Sequence, residues 1–124
     1  MTPIDWLEPD WPAPECVRAV STTRSGGVSG GAWATLNLGD HVGDSAAAVI
    51  ENRRRLTREL DLKANPRWLT QVHGTNVVRV EDHDACADAS IASGPDNICV
   101  VMTADCLPVL FCNRSGTRVA AAHA

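Results

Sequence analysis

One amphipathic segment constrains the fold of this chain more than any other feature of its sequence. From Ser45 to Leu60 apolar residues recur with a helical period, and Glu51 and Arg55 stand four residues apart, where opposite charges meet on one helix face. Asp44, directly before this segment, is a favourable N-cap. The pattern predicts one helix of about four turns. The rest of the core must then come from strands and loops.

The other segments are short and rich in β-branched or apolar residues, which favours strands. We expect a proline-rich extended arm over 1–15, followed by strands at 16–24, 67–72, 76–80, 98–104, 106–112 and 117–123. One helix among several strands predicts an α+β fold. A chain of 124 residues suits a single domain with its own core.

Composition argues against several classes of function. A formal charge of −4 provides no basic stripe for a nucleic-acid backbone, and no apolar run reaches membrane-spanning length. The first ten residues lack the basic and apolar regions of a secretory signal. We therefore expect a cytoplasmic protein with neither nucleic acid nor membrane as a partner, whose five cysteines are mostly free thiols.

The last two predicted strands flank the turn residues NRSG. If those four residues form the loop of a hairpin, Cys112 faces Thr117. Counting outward then brings Cys106 opposite His123, with Cβ atoms about 5 Å apart. That separation suits two ligands of one metal ion. Pro108 inside the first strand cannot donate a ladder hydrogen bond and argues against regular pairing there.

His73 is one of four histidines, and it ends a predicted strand just before a glycine, a place that often carries function. With Cys106 and His123 it would supply two imidazoles and a thiolate, which suits zinc with an open fourth position. From spacing alone, a buried thiol and a core histidine explain these residues better. A third interpretation makes Cys106 a nucleophile with His73 or His123 as its base, and Asp105 then orients that base or relays protons.

Copper chemistry fits the residues less well. A blue-copper centre would add Met102 as an axial ligand, but the ligands of such centres usually cluster in one loop region. A multicopper centre needs many more imidazoles than the four in this chain.

A second candidate site lies in the segment TTRSGGVSGG. Arg24 followed by a glycine-serine loop offers a guanidinium beside exposed backbone N–H groups, which together make an anion site. The segment lacks the GK[ST] of a nucleotide-binding loop. Asn37 and His41, in LNLGDHVGD, either reach a polar ligand or satisfy the backbone of their own loop. A flexible loop whose arginine pairs with a carboxylate is an equally good interpretation.

Six blocks between about residues 17 and 124 together resemble one family: TTRSGGVS, LNLGDHVGD, NRRRL, LTQVHGTNVV, TADCLPVLF and VAAAHA. It is the YfiH family, also labelled laccase-like or multicopper polyphenol oxidase, peptidoglycan editing factor and purine nucleoside phosphorylase. The resemblance implies a mixed α/β sandwich of the YfiH type, similar to the cytotoxic necrotizing factor catalytic domain. It also implies a metal site, usually taken as zinc, at His73, Cys106 and His123.

The activity that the resemblance implies is phosphorolysis of adenosine, inosine and methylthioadenosine, with adenosine deamination as a side activity. Copper-dependent polyphenol oxidation and hydrolysis of a misincorporated peptidoglycan residue are the alternatives, together with an inactive fragment. The three metal ligands are themselves predicted to be catalytic, and Asp105 is predicted to act with them. Phosphate and nucleoside are predicted to be bound by Arg24, Asn37 and His41.

Two features depart from the family pattern. The block that usually reads ADALVT is ADASIA here, at 87–92, which is expected to reshape a pocket wall. The family also continues past the last motif with GWRG and a second half of similar length. We therefore expect residues 16–124 to be a truncated, amino-terminal half of a YfiH-like domain. A truncated domain would leave apolar surface exposed. That surface would be covered in a homodimer or by complementation with the missing carboxy-terminal half.

Overall fold

The computed structural model describes residues 2–124 and divides them into two compact units. The first unit joins the residues up to Asp10 with Ala19–Leu62, and the second joins Trp11–Arg18 with Lys63–Ala124. Across the described residues, every helix is too short or too polar to cross a membrane. The expectation of a single domain that follows an extended arm stays a prediction.

The predicted helix is present in the first unit as α1, Ala46–Glu59. Its N-cap is Ser45, whose side chain accepts a hydrogen bond from the Ala48 N–H, so the prediction of Asp44 as the cap was wrong by one residue. The Asp44 carboxylate instead accepts the Ser45 N–H at 2.8 Å. The predicted pairing of Arg55 with Glu51 is confirmed, with 3.3 Å between Nε and Oε1.

The predicted strand at 16–24 is reduced to two residues. Strand β1, Trp6–Leu7, pairs antiparallel with β2, Ser21–Thr22. The other residues of the predicted strand, 16–20 and 23–24, form no strand. The buried apolar residues of this unit are Ile4, Leu36, Val49, Leu56 and Leu60.

The second unit contains a four-stranded sheet. Its strands are β3 (Val77–Arg79), β4 (Ala89–Ser93), β5 (Pro108–Cys112) and β6 (Arg118–His123), in the spatial order β3-β4-β6-β5. Strands β3 and β4 are parallel, and the other two pairings are antiparallel. Small residues meet at the centre of the sheet, where Ser90 pairs with Ala121 and both are buried.

Two predicted strands of this unit were wrong. Segments 67–72 and 98–104 contribute only isolated bridges, Arg67 to Cys99 and Thr70 to Cys86. A side chain joins the two segments instead, because the Gln71 amide donates to the Met102 carbonyl at 2.8 Å and accepts its N–H at 2.6 Å. Strand β4 was not predicted, because its sequence ASIAS has few of the residues that favour strands.

Candidate metal centre

Three residues from distant parts of the sequence meet in the second unit. One donor atom from each of His73, Cys106 and His123 lies within 4.8 Å of the other two. His73 lies in the turn before β3, Cys106 just before β5, and His123 at the end of β6. The two imidazole rings meet edge to face, with their centroids 5.1 Å apart.

The hairpin that brings Cys106 to His123 has a different register from the predicted one. Pro108, not Cys106, is the direct partner of His123, and Cys112 pairs with Val119 rather than facing Thr117. The pairing is therefore offset by two residues. Because side chains alternate faces with a period of two, this offset leaves Cys106 on the expected side.

The offset has a cause in the loop. The Asn113 side-chain oxygen accepts the N–H groups of Thr117 and Arg118 at 2.9 and 3.1 Å, and the Asn113 N–H donates to the Arg118 carbonyl. Asn113 and Arg118 therefore close the hairpin, and the loop begins one residue later than predicted. Gly116, inside the loop, has a φ of 72°, which glycine adopts without strain.

Pro108 fits this arrangement without the irregularity that the sequence suggested. Leu107 and Ala124 exchange both backbone hydrogen bonds, each at 2.9 Å. The next pair along the ladder, Pro108 and His123, is therefore a non-hydrogen-bonded pair, in which a proline lacks no partner. Strand β5 is also an edge strand, where proline is tolerated.

Asp88 joins both histidines of the cluster, although no pattern in the sequence indicated a role for it. Its carboxylate accepts three successive backbone N–H groups, from Val72, His73 and Gly74, at 2.9 to 3.0 Å. It also lies 2.8 Å from Nδ1 of His123. Burial of Asp88 acts to raise its pKa, but the bonds from Gly74, Val72, His123 and His73 outweigh it and lower the pKa to about 2.

The donor set suits zinc. A zinc ion takes cysteine sulfur at about 2.3 Å and histidine nitrogen at about 2.0 Å, so tetrahedral donors lie about 3.5 Å apart. The donor atoms of the three residues lie within 4.8 Å of one another, the range in which one ion could be held by all three. His73 and Cys106 are exposed while the His123 side chain is 5% exposed, so a fourth position would be open to solvent or substrate. Asp105, beside Cys106, is exposed.

The predicted anion loop lies in the first unit. Arg24 Nε donates to the Ala34 carbonyl at 3.1 Å. Asn52, fully buried in α1, holds the loop by accepting the Val28 N–H at 2.8 Å and donating to the Ser29 hydroxyl at 2.9 Å. The loop is therefore fixed by a side chain whose role the sequence pattern did not indicate.

The two other residues predicted to bind substrate differ in their surroundings. The Asn37 amide donates to the Gly39 carbonyl and to Asp44, and accepts the Gly39 N–H, each at 3.1 Å. Its polar groups therefore satisfy its own loop. His41 is exposed, with Nδ1 3.9 Å from the Asp40 carboxylate.

The Asp44 carboxylate accepts hydrogen bonds that lower its pKa, although burial acts to raise it. The bond from Ser29 has the largest effect, followed by the bonds from Asn37 and Ser45.

Residues 18–124 match the sequence model of a family described as multi-copper polyphenol oxidoreductase laccase. The chain belongs to this family. Its relatives include the purine nucleoside phosphorylase YfiH of Escherichia coli K12, which is 53% identical over an alignment of 121 residues that covers 95% of this chain and 50% of that protein. A purine nucleoside phosphorylase of Pseudomonas aeruginosa is 60% identical over 96% of this chain and 49% of its own length. The resemblance to YfiH proteins is thereby confirmed.

Solved structures of YfiH-type proteins have the same fold. A Neisseria meningitidis protein superposes with a TM-score of 0.88 at 50% identity, covering 96% of this chain and 50% of its own. The YlmD protein of Geobacillus stearothermophilus gives 0.86 at 32% identity, covering 96% and 49%. Within residues 2–124 the fold is a mixed α/β arrangement with two sheets, one α-helix and a short 3-10 helix at Gly31–Trp33. The chain spans about half the length of the curated relatives it matches.

Proposed function

We propose that this chain carries the metal-binding part of a purine nucleoside phosphorylase, with His73, Cys106 and His123 as the ligands of one zinc ion. The convergence of their donor atoms to within 4.8 Å is the observation that supports the proposal most directly. The curated names of relatives at 53% and 60% identity supply the reaction. The substrates would be a purine nucleoside and inorganic phosphate.

In the proposed reaction a phosphate oxygen bonds to C1′ of the ribose while the bond from C1′ to the purine nitrogen breaks. The products are the free base and ribose 1-phosphate. A zinc ion held by the three residues would supply Lewis acidity at this centre. Asp105, exposed beside Cys106, is proposed to pass the proton that the leaving base takes up.

Phosphate binding is proposed for Arg24, whose Nε donates to the Ala34 carbonyl within the glycine-rich loop and whose guanidinium is the type of group that binds a phosphate with two hydrogen bonds. Asn37 and His41 stay proposed nucleoside contacts, although the amide of Asn37 already satisfies its own loop. Deamination of adenosine, in which water replaces the amino group and ammonia leaves, is the proposed side activity. Adenosine, inosine and methylthioadenosine are the proposed substrates.

A copper-dependent polyphenol oxidase is the second candidate, because the family description names that chemistry. Four histidines in the whole sequence argue against several coppers in this chain, since each copper of such a centre needs its own imidazoles. Hydrolysis of a misincorporated peptidoglycan residue is the third candidate. We also propose a cytoplasmic location, and either a homodimer or complementation by a carboxy-terminal half as the working assembly.

Metal content tests the site directly. We expect the chain purified without added metal, with its intact mass verified, to hold close to one zinc and no copper by elemental analysis. Cys106→Ala should lose most of that zinc, because a ligand thiolate is removed. Cys86→Ala, which removes another exposed cysteine, is the matched control and should keep it.

Copper in place of zinc would favour the oxidase, and equal zinc in both cysteine variants would remove Cys106 from the site. Products then separate the activities. Adenosine with phosphate yields adenine by phosphorolysis and inosine by deamination, whereas oxygen uptake with a phenol indicates the oxidase.

A further inference from the structure

We infer that Asp88 is the positioning residue of this centre: its carboxylate sets the tautomer of His123 and holds the backbone turn that carries His73. The inference rests on the metal site proposed above, for the part that concerns zinc affinity. The hydrogen bonds themselves are independent of any metal. Asp88 is 2% exposed, so the groups around its carboxylate compete with little water.

The two carboxylate oxygens divide their partners evenly. Oδ1 accepts the N–H groups of Val72 and Gly74, at 2.9 and 3.0 Å. Oδ2 accepts the His73 N–H at 3.0 Å and lies 2.8 Å from Nδ1 of His123. The Asp88 carbonyl also accepts the His123 N–H at 2.7 Å, so the same residue fixes both the ring and the backbone of that histidine.

These contacts determine which ring nitrogen of His123 carries the proton. An ionised carboxylate only accepts hydrogen bonds, so the ring nitrogen facing Oδ2 must be an N–H. Nδ1 of His123 therefore holds the proton, and Nε2 keeps the lone pair that a metal needs. A carboxylate behind a ligand histidine fixes the orientation of the ring and raises its basicity in the same way in many metal sites.

The same carboxylate holds His73 in an unusual backbone conformation. His73 has a φ of 58°, in the left-handed region that residues other than glycine seldom occupy. Three successive N–H groups converging on one anion form a small concave turn, and His73 is the middle residue of that turn. The backbone position of one ligand and the ring of another thus depend on Asp88.

Asp88→Asn should reverse the tautomer. If the NH₂ of the new amide occupies the Oδ1 position, it faces the N–H groups of Val72 and Gly74. All of these groups are hydrogen-bond donors, so two hydrogen bonds are lost. With NH₂ at the Oδ2 position it conflicts with the His73 N–H alone and can donate to Nδ1 of His123. The second orientation is favoured, and it moves the His123 proton to Nε2, where it blocks a metal ligand.

The test uses the metal-free chain labelled with nitrogen-15, at about pH 9, where ordinary imidazoles are neutral. Ring nitrogen shifts should show His123 as the Nδ1–H tautomer in the wild type and as Nε2–H in Asp88→Asn, with the His123 signals assigned from His123→Gln. Zinc affinity of Asp88→Asn should fall about 10- to 100-fold. Asp84→Asn makes the same chemical change at an exposed carboxylate that also accepts a backbone N–H, and should alter neither measurement.

A wild-type chain with His123 as Nε2–H would overturn the inference, and that outcome does not depend on whether Asp88→Asn folds. The inference also fails if Asp88→Asn folds and keeps both the Nδ1–H tautomer and the zinc affinity. A wild-type chain that shows the Nδ1–H tautomer but binds no zinc overturns the proposed metal site, while supporting Asp88 as the residue that sets the tautomer. The two proposals can therefore fail separately.

Discussion

At the scale of single residues, glycine is required where backbone segments approach closely. A Cβ atom added at Gly27 would lie 2.1 Å from the Thr35 carbonyl oxygen and 2.5 Å from Leu36 Cα. Backbone atoms cannot move aside as a flexible side chain can. Gly30, in the same loop, has no heavy atom within 4 Å of the corresponding position. The two glycines look alike in the sequence but have different roles.

We therefore expect Gly27→Ala to lower the free energy of unfolding by about 1–3 kcal/mol, the usual cost of forcing extra atoms into a packed site. Gly30→Ala is the matched control and should change it by less than about 0.5 kcal/mol. Urea unfolding followed by tryptophan fluorescence measures both. Equal midpoints for the two variants would show that the loop relaxes around the added methyl group.

At the scale of elements, helix α1 contributes hydrogen bonds as well as apolar contacts. Its buried face carries two polar residues: Asn52, and Arg55, which is 7% exposed and donates to the Gly26 carbonyl at 3.2 Å. Asn52 donates to the Asn37 carbonyl as well as to Ser29. The helix thus holds the glycine-rich loop by hydrogen bonds, in addition to the apolar contacts that the sequence pattern predicted.

Asn52→Leu tests this role, because leucine keeps the number and branching of the side-chain heavy atoms but removes their hydrogen bonds. The Val28 N–H and the Asn37 carbonyl, both in partly buried hydrogen bonds, then lose their Asn52 partner, and a fully buried group left unpaired costs about 1–3 kcal/mol. Because solvent reaches these groups in part, we expect a total loss of about 1–3 kcal/mol in urea unfolding. Ile50→Ala, at a position of the same helix that is 67% exposed, is the control and should have a small effect. A stable Asn52→Leu variant would mean that water replaces the amide.

At the scale of the whole molecule, the Asp88 carboxylate links stability to pH. Its pKa in the folded chain is about 2, below the ordinary value of 3.8. The Asp88 carboxylate therefore binds a proton less readily in the folded state than in the unfolded state. The resulting stabilisation is complete above the unfolded pKa and is lost as pH falls through the range between the two values.

We expect metal-free wild-type protein to lose about 2 kcal/mol through this group as pH falls from about 5 to 2. Other carboxylates titrate in the same range, so the measurement compares the wild-type chain with Asp88→Asn by urea unfolding at several pH values. The difference between the two chains should shrink on acidification. A difference that stays constant with pH would mean that the Asp88 carboxyl has the same pKa in the folded and the unfolded state.

Sequence alone determined the local elements and the chemistry of the candidate ligands. The helix, strands β3, β5 and β6, and the residues His73, Cys106 and His123 follow from periodicity, from turn residues and from family motifs, all of which are local signals. The offset of the hairpin, the side-chain bridge from Gln71 to Met102, and strand β4 required the tertiary structure, because each depends on a partner distant in the chain. Asp88 is the clearest case. Its sequence context is an ordinary aspartate before a strand, and only folding surrounds it with the N–H groups and the imidazole that give it a role.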